Sequence, residues 1–418
     1  MAAVRLLLVG AGSRGSVYAA WARDRADAKI VGVAEPRAAL RARIAAEHGI
    51  PREHVVSDWR ELATSPRFAD GVILATPDAL HVEPAVSFAA LGYHLLLEKP
   101  MAPSAEDCHR IAAAAERHRV MLAVCHVLRY TRYTEALVGA VAAGRIGEVV
   151  SLAHLEPVGY WHHAHSFVRG NWSSAARSAP MLLAKSCHDL DWIRHVMGRR
   201  CVRVSSFGGL QHFRRDAAPA GAGERCLECG IEETCPYSAR KIYLGRVHGG
   251  ATGWPVDVVA PEHVTAATVT DALRTGPYGR CVYACDNDVV DHQVVAMQFD
   301  GGATATFTMT GFTRQRDRET RIFGTRGELF GDGRRIEIHD FLTDRTETLD
   351  TGVAADGSIA TGHGGGDARL MEHFVAALAT GDPSHIRSGP AESLETHLMV
   401  FAAEEARREG RVVDVATP

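Results

Sequence analysis

The sequence predicts an α/β protein in two parts. A doubly wound parallel sheet comes first, then an α+β domain with a large, open, mostly antiparallel sheet. Three observations predict it. Short apolar runs alternate with helix-patterned stretches over residues 4–126, as buried parallel strands do when helices cover both faces. After His126 the rhythm changes to a helix and then to strands separated by short turns. The length, 418 residues, suits two or three domains of roughly 150 residues each.

The elements follow in order. Residues 4–9 (VRLLLV) are the first strand, and Gly10-Ala11-Gly12-Ser13-Arg14-Gly15 turns into a helix reaching about Arg25. Lys29–Ala34 is the second strand, ending at Glu35. A helix over Ala38–His48 stops at Gly49, a natural C-cap. Residues 71–75 form a strand ending in Thr76-Pro77, followed by a helix to Leu91. His94–Leu97 is the next strand, ending at Glu98-Lys99-Pro100. Ser104 caps a helix to His118, and residues 120–125 close the first sheet. Thr131–Ala143 is a helix, and Gly147 opens a strand to Glu156. Residues 157–179 read as a polar, His-rich loop and 180–198 as helix. Gly301-Gly302 makes a hairpin between Val289–Phe299 and Ala303–Phe312. Strands at 320–324, 334–339 and 345–350 and helices near 367–380 and 390–408 complete the chain. The first domain is thus expected over 1–126 and the second over 127–418. A Gly-, Pro- and Cys-rich insertion at about 209–285 should have little hydrophobic material of its own.

Composition narrows the function. Hydrophobic residues are 46% and charged residues 23%, values of an ordinary globular chain. Lys plus Arg minus Asp plus Glu is 46 − 50 = −4, which argues against nucleic acid. No apolar run reaches the ~18 residues of a membrane span. The N-terminus has neither a basic region nor a small-residue cleavage site, so a cytoplasmic location is expected. There, nine cysteines do not read as a disulfide framework.

The glycine turn carries the first chemistry. Gly10 allows the tight turn, Gly12 lets backbone approach a pyrophosphate, and Gly15 lets helix pack on strand. The following helix offers its free N–H groups to phosphate. Glu35, twenty residues beyond Gly15, can accept from ribose hydroxyls and would repel a 2′-phosphate. The reading is a Rossmann domain for NAD rather than NADP, with Arg37 as a residue able to fold back onto a phosphate.

The fingerprint, the Ala75-Thr76-Pro77 strand end with His81, and the Glu98-Lys99-Pro100 tripeptide resemble the Gfo/Idh/MocA oxidoreductase family over nearly the whole chain. The resemblance implies cofactor contacts from Ser13, Arg14, Thr76, Pro77, His81, Glu98 and Lys99. It implies that Lys99 is the catalytic lysine and that the open second sheet packs in a homo-oligomer, dimer or tetramer. The chemistry of Lys99 agrees: past a strand's carboxyl end it points into the crevice, where an ammonium stabilises a developing alkoxide. The family's Asp-x-x-x-His-x-x-Asp string is altered here. His188 and Asp191 match, but Ala184 stands where the first Asp is expected, followed by Lys185. A Lys185–His188 pair would depress both pKa values. Lys185 is then a candidate base or anion-binding group, with Asp189 or Asp191 orienting the imidazole.

Two further clusters stand out. Residues 160–172 (YWHHAHSFVRGNW) offer Trp161 and Trp172 for stacking on a sugar. His162, His163, His165, Arg169 and Asn171 offer polar contacts, Arg169 being suited to an anionic group. Arg129, Tyr130 and His363, on a glycine-rich approach to a helix, are expected near the same cleft. Cys226-x2-Cys229-x5-Cys235 has the spacing of a structural zinc site. Cys281 or Cys285 is the preferred fourth ligand, with His248 in reserve; an iron–sulfur cluster is the less favoured alternative. Cys108, Cys125, Cys187 and Cys201 read as buried hydrophobes. The leading expectation is hydride transfer at a carbohydrate hydroxyl. The alternative is an NAD-dependent glycoside hydrolase running a redox-neutral cycle, and the last is a non-catalytic sensor of NAD or sugar.

Overall fold

The computed structural model describes residues 2–352 and 362–417. Its first sheet has six parallel strands: β1 (Val4–Val9), β2 (Ala28–Ala34), β3 (Val55–Val56), β4 (Gly71–Leu74), β5 (His94–Leu97) and β6 (Leu122–Val124). Their spatial order is β3-β2-β1-β4-β5-β6. β1 therefore lies between β2 and β4, and the chain winds outward from it in both directions. That reversal opens a crevice at the strands' carboxyl ends. Leu6, Leu7 and Leu8 are fully buried, because helices cover both faces. Gly49 takes the left-handed C-cap, and Ser104 Oγ accepts from the Asp107 N–H.

The second sheet has nine strands: β7 (Val149–Pro157), β8 (Cys201–Gly209), β9 (His292–Phe299), β10 (Thr304–Thr310), β11 (Glu319–Gly324), β12 (Gly327–Gly331), β13 (Arg335–Asp340), β14 (Arg345–Asp350) and β15 (Val413–Asp414). The order is β14-β13-β12-β11-β7-β10-β9-β8-β15. β7 and β10 run parallel; the other neighbours are antiparallel. One core runs from Leu74 and Leu97 of the first sheet through Leu190 to Phe307 and Met309 of the second. Helix Gly362–Thr380 returns to the first sheet and buries Leu370, Met371, Phe374 and Val375 with Leu6, Leu8, Ile73 and Leu96. The first sheet's core is thus completed by residues far beyond position 126.

Three expectations need correction. The 157–179 segment is not merely a loop: Tyr160–His163 and Ala164–Arg169 are helical. Its polar residues hid the pattern, since residues 163–170 are buried. The expected helix over 180–198 breaks between Met181–Ala184 and Cys187–Met197. The cysteine-rich segment has a hydrophobic core of its own, which includes Phe213, Tyr237, Ile242, Tyr243, Val256 and Leu273. Those residues are interleaved with Gly, Pro and Cys, so no periodic pattern marks them. Among the described residues no helix is long and apolar enough to cross a membrane.

Burial has a pH consequence. It pushes His126 down to about 3 and His163 and His397 to about 4. Unfolding would return them to roughly 6.5, so the unfolded chain binds protons the folded one refuses. Their stabilising effect is fully present above about pH 6.5 and is lost as pH falls towards 4, at roughly 1.4 kcal/mol per pH unit for each histidine. Urea midpoints should fall steadily between pH 7 and 5, with more than one proton taken up on unfolding. A flat profile would contradict this burial.

Candidate active site

The glycine turn has the shape a dinucleotide needs. Gly10 has φ +90°, and a Cβ there would meet the Ala75 carbonyl oxygen at 2.5 Å. A Cβ on Gly15 would stand 1.9 Å from the Gly10 oxygen. At Gly12 a Cβ would meet only Arg37 Nη2, at 3.5 Å, so backbone is open there. Gly12 is the N-cap of helix Ser13–Arg23 and gives no side-chain cap, which leaves the first amides for an anion. Glu35 sits at the end of β2. It accepts from the Ala11 N–H at 2.7 Å and from Arg37 Nε and Nη2 at 2.7 and 3.0 Å. Burial opposes its charge, but Arg37 and the backbone amides hold its carboxyl below the usual range. Arg37 thus pairs with Glu35 and keeps its Nη2 beside Gly12 of the turn.

Glu98 organises the next shell. Arg14 Nε donates to Glu98 Oε1 at 2.7 Å, and Tyr18 Oη donates to the same oxygen at 2.5 Å. Arg14 Nη2 also reaches Tyr18 Oη at 2.6 Å and forms a short ion pair with Asp367. Asp367 accepts from His363 Nδ1 at 2.8 Å. Burial would raise the Glu98 carboxyl, yet Arg14 and Tyr18 hold it below the usual carboxylate range. Lys99 follows at the carboxyl end of β5, before a cis Lys99–Pro100 bond. Its Nζ donates to the Ala184 carbonyl at 2.7 Å, across to the second domain. His81 is buried. Its Nδ1 lies 2.9 Å from the Pro100 oxygen and its Nε2 2.9 Å from the Thr76 oxygen. It fastens two loops and has no ring nitrogen left for a cofactor. Thr76 Oγ1 donates to the Leu80 carbonyl, and Pro77 is exposed.

His188 opens helix Cys187–Met197 and is buried beside Lys99. Burial, then the charge of Lys99, then His363, His126 and Arg318 push its pKa well below the ordinary value. The imidazole is therefore neutral at pH 7. Its Nδ1 has no partner among the described residues, and its ring lies 5.9 Å from His363 and 6.0 Å from His126. Lys185 does not set this state. It pairs with Glu156 at 2.9 Å, and Arg318 joins Glu156 (2.8 Å) to Asp189. Asp189 and Asp191 do not orient His188 either. Asp189 faces Arg318 and His154, and Asp191 is held by Arg129.

Several expected substrate residues are used inside the protein. Arg129 makes two 2.7 Å bonds to Asp191 and a third to the Arg387 carbonyl. Against the cost of burial, Arg129 and His126 hold the Asp191 carboxyl at about 2. Tyr130 is buried, with its hydroxyl 3.0 Å from Ser388 Oγ. His165 Nδ1 pairs with Tyr243 Oη at 2.9 Å. Arg169 donates to the carbonyls of Arg280 and Tyr237. Trp161 and His162 are half-buried and gather around Trp254, with centroids 5.2 and 4.9 Å away. Lys185 helps depress His162, which places that wall beside the Lys185–Glu156 pair. Asn171 and Trp172 are exposed.

The sequence reading missed Asp78, Glu156, Arg318 and Trp254. Asp78 just follows the carboxyl end of β4, a position that alone could have flagged it. Burial pushes its carboxyl up against the pull of His81 and Lys99. Arg318 and Trp254 lie in segments without a motif. Cys226, Cys229, Cys235 and Cys281 line one cavity, whereas His248 is exposed. Among the described residues no group of three or more His, Cys, Asp or Glu side chains forms a ready-made metal cage. The zinc expected from the spacing is therefore not shown.

Removing Arg129 tests its reassignment. Arg129→Ala leaves Asp191 buried without its cation and should cost about 3–5 kcal/mol in urea unfolding at pH 7. A loss below about 1 kcal/mol with a raised substrate KM would return Arg129 to the substrate.

Known proteins now place the chain. Residues 4–126 match the family model described as an oxidoreductase family, NAD-binding Rossmann fold. Residues 138–415 match its companion, the C-terminal alpha/beta domain. The Bacillus subtilis protein YteT is 24% identical over 326 residues, 72% of this chain and 71% of its own. The 2,7-anhydro-N-acetylneuraminate hydratase of Escherichia coli is 28% identical over 276 residues, 64% of this chain and 68% of its own. The structure of levoglucosan dehydrogenase with NADH and L-sorbose covers 100% of both chains at 20% identity and a TM-score of 0.71, a likeness of fold. With both family models matched across nearly its whole length, the chain belongs to the Gfo/Idh/MocA oxidoreductases.

Proposed function

We propose that the protein is an NAD-dependent oxidoreductase acting on a hydroxyl-bearing carbon of a sugar or sugar derivative. One observation carries this reading: Lys99 and a neutral, buried His188 come together at the carboxyl end of the first sheet. Bound NAD would supply the hydride acceptor. Gly10, Gly12, Ser13 and Gly15 fit its pyrophosphate, and Glu35 fits its ribose. The Glu35 carboxylate repels a 2′-phosphate, which favours NAD over NADP. When a substrate carbon gives up hydride, its hydroxyl proton must leave. His188 is held neutral and can take that proton, while the Lys99 ammonium steadies the forming alkoxide. Lys185 and Arg318, locked on Glu156, are the groups proposed to meet the remaining hydroxyls.

The chain is proposed to be a cytoplasmic homo-oligomer. Its outer sheet face exposes Phe207 and Val294, directly paired across β8 and β9, together with Val150 and Phe323, and a second copy would cover them. A structural zinc in the cysteine-rich segment completes the reading; a catalytic one would duplicate Lys99. A second reading has support from the Escherichia coli relative, whose name is that of an anhydro-sugar hydratase. In it the same two residues serve a redox-neutral cycle that cleaves a glycoside and restores NAD.

Purified protein, NAD and a panel of free sugars and neutral or anionic aryl glycosides separate these readings. NADH accumulating on a free sugar supports the dehydrogenase. Aglycone release that needs NAD without NADH build-up supports the cycle, and neither signal across the panel contradicts both. Lys99→Met and His188→Asn should each lower kcat about 10²–10⁴-fold with NAD binding nearly intact. Glu35→Ala should weaken NAD and narrow the preference over NADP in a binding titration; unchanged affinity would remove Glu35 from the ribose site.

A further inference from the structure

The backbone of the cysteine-rich segment brings four cysteines to the lining of one cavity. The Cys281 N–H donates to the Glu224 carbonyl at 2.9 Å, and Arg225 bridges antiparallel to Arg280. This pairing puts Cys226 and Cys281 on the same face of the bridge, diagonally across from one another. The short helical turns Cys226–Glu228 and Glu232–Thr234 then return Cys229 and Cys235 to them. All four side chains line a single cavity of about 20 Å³. A water needs roughly 10–15 Å³ by the same measure, so the space suits one ion.

Arg169 lines the same cavity and is only 5% exposed. Its Nη2 donates to Cys226 Sγ at 3.4 Å, and its Nη1 has no partner among the described residues. Its other partners are two backbone carbonyls. Glu232 lines the cavity too, with its carboxylate bonded to Ser238 Oγ, so the buried guanidinium has no ion-pair partner and calls for negative charge nearby. The Gly223 N–H also donates to sulfur, Cys229 Sγ at 3.4 Å, as amides do to thiolates.

We propose that Cys226, Cys229, Cys235 and Cys281 hold one divalent cation of the zinc class as thiolates, and that this centre fixes one wall of the substrate cleft. The four ligands give up their protons on binding. One dication and four thiolates leave a net charge of −2, the counter-charge that Arg169 lacks. The sulfurs draw inward on the cation to reach a closed, tetrahedral site. Cys285 turns its Sγ to the Cys281 carbonyl at 3.2 Å and stays outside. The chain between Cys235 and Cys281 carries Tyr243, Trp254 and Tyr278. Tyr243 bonds His165, Tyr278 stacks on it at 4.8 Å, and Trp254 meets Trp161 and His162. Arg169 ends the helical segment that holds His165. The centre therefore ties both sides of this wall together. Only the role of the wall rests on the oxidoreductase reading; the metal content does not.

Elemental analysis of untagged protein should find close to one zinc per chain. Titration with a mercurial beside a zinc-binding dye should release it as four thiols react. Cobalt added to stripped protein should give thiolate charge-transfer and tetrahedral bands, lost in Cys226→Ser and Cys281→Ser. Metal-free protein whose thiols react alike with and without chelator overturns the site, as does the absorption of an iron–sulfur cluster. Should the variants fail to fold, the mercurial titration of unaltered protein decides. Stripped protein should then show a several-fold rise in substrate KM with kcat little changed. An unchanged KM overturns the wall's dependence on the metal, and absent activity with intact metal stoichiometry counts against the oxidoreductase reading alone.

Discussion

The Glu98 carboxylate stays ionised in a place with almost no water, and Arg14 is what keeps it so. A carboxylate buried alone would take up a proton. Pairing removes that option and fixes three pieces at once. Arg14 stands in the first turn of the helix that follows the glycines. Glu98 ends the strand that delivers Lys99. Asp367, the third member, lies in the second turn of helix Gly362–Thr380, which returns from the far end of the chain. The glycine turn, Lys99 and His363 are thereby held in register by one guanidinium.

The second constraint acts across the domains. Lys99 reaches the Ala184 carbonyl just where the helix breaks before Cys187. That break frees a carbonyl for the lysine and points His188 at the same space. Ala184 takes the position where the family resemblance expects an aspartate, and the structure shows what replaces it: a backbone oxygen on Lys99, with Glu156 and Arg318 gathering Lys185 and Asp189 into their own network. His188 is then a neutral imidazole among histidines, tuned by burial and by Lys99. This is the protonation state that a proton acceptor needs at pH 7.

The first sheet was legible because its signals are local. A strand buried on both faces reads as VRLLLV, and only glycine fits at Gly10 and Gly15. The completion of that sheet by Leu370 and Phe374 was not legible, since it depends on contact between distant segments. The polar residues misled most. Arg129, Tyr130, His165 and Arg169 read as open to substrate in the sequence because polar side chains are usually exposed. Each instead meets an internal partner: a carboxylate, a hydroxyl or a run of backbone carbonyls. A sequence shows the donor and not the acceptor folded against it. The cysteine spacing, by contrast, marks residues that line one cavity, because three of the four lie within ten positions of one another.

In the proposed reaction, hydride leaves a hydroxyl-bearing carbon beside Lys99 and His188. The most direct measurement uses the best sugar of the panel, deuterated at that carbon, with NAD in a single turnover. Deuterium should appear on the nicotinamide, with a slowed transfer step in which His188→Asn is slower still. Turnover of that sugar with the deuterium never passing to the nicotinamide would rule out hydride transfer at this carbon.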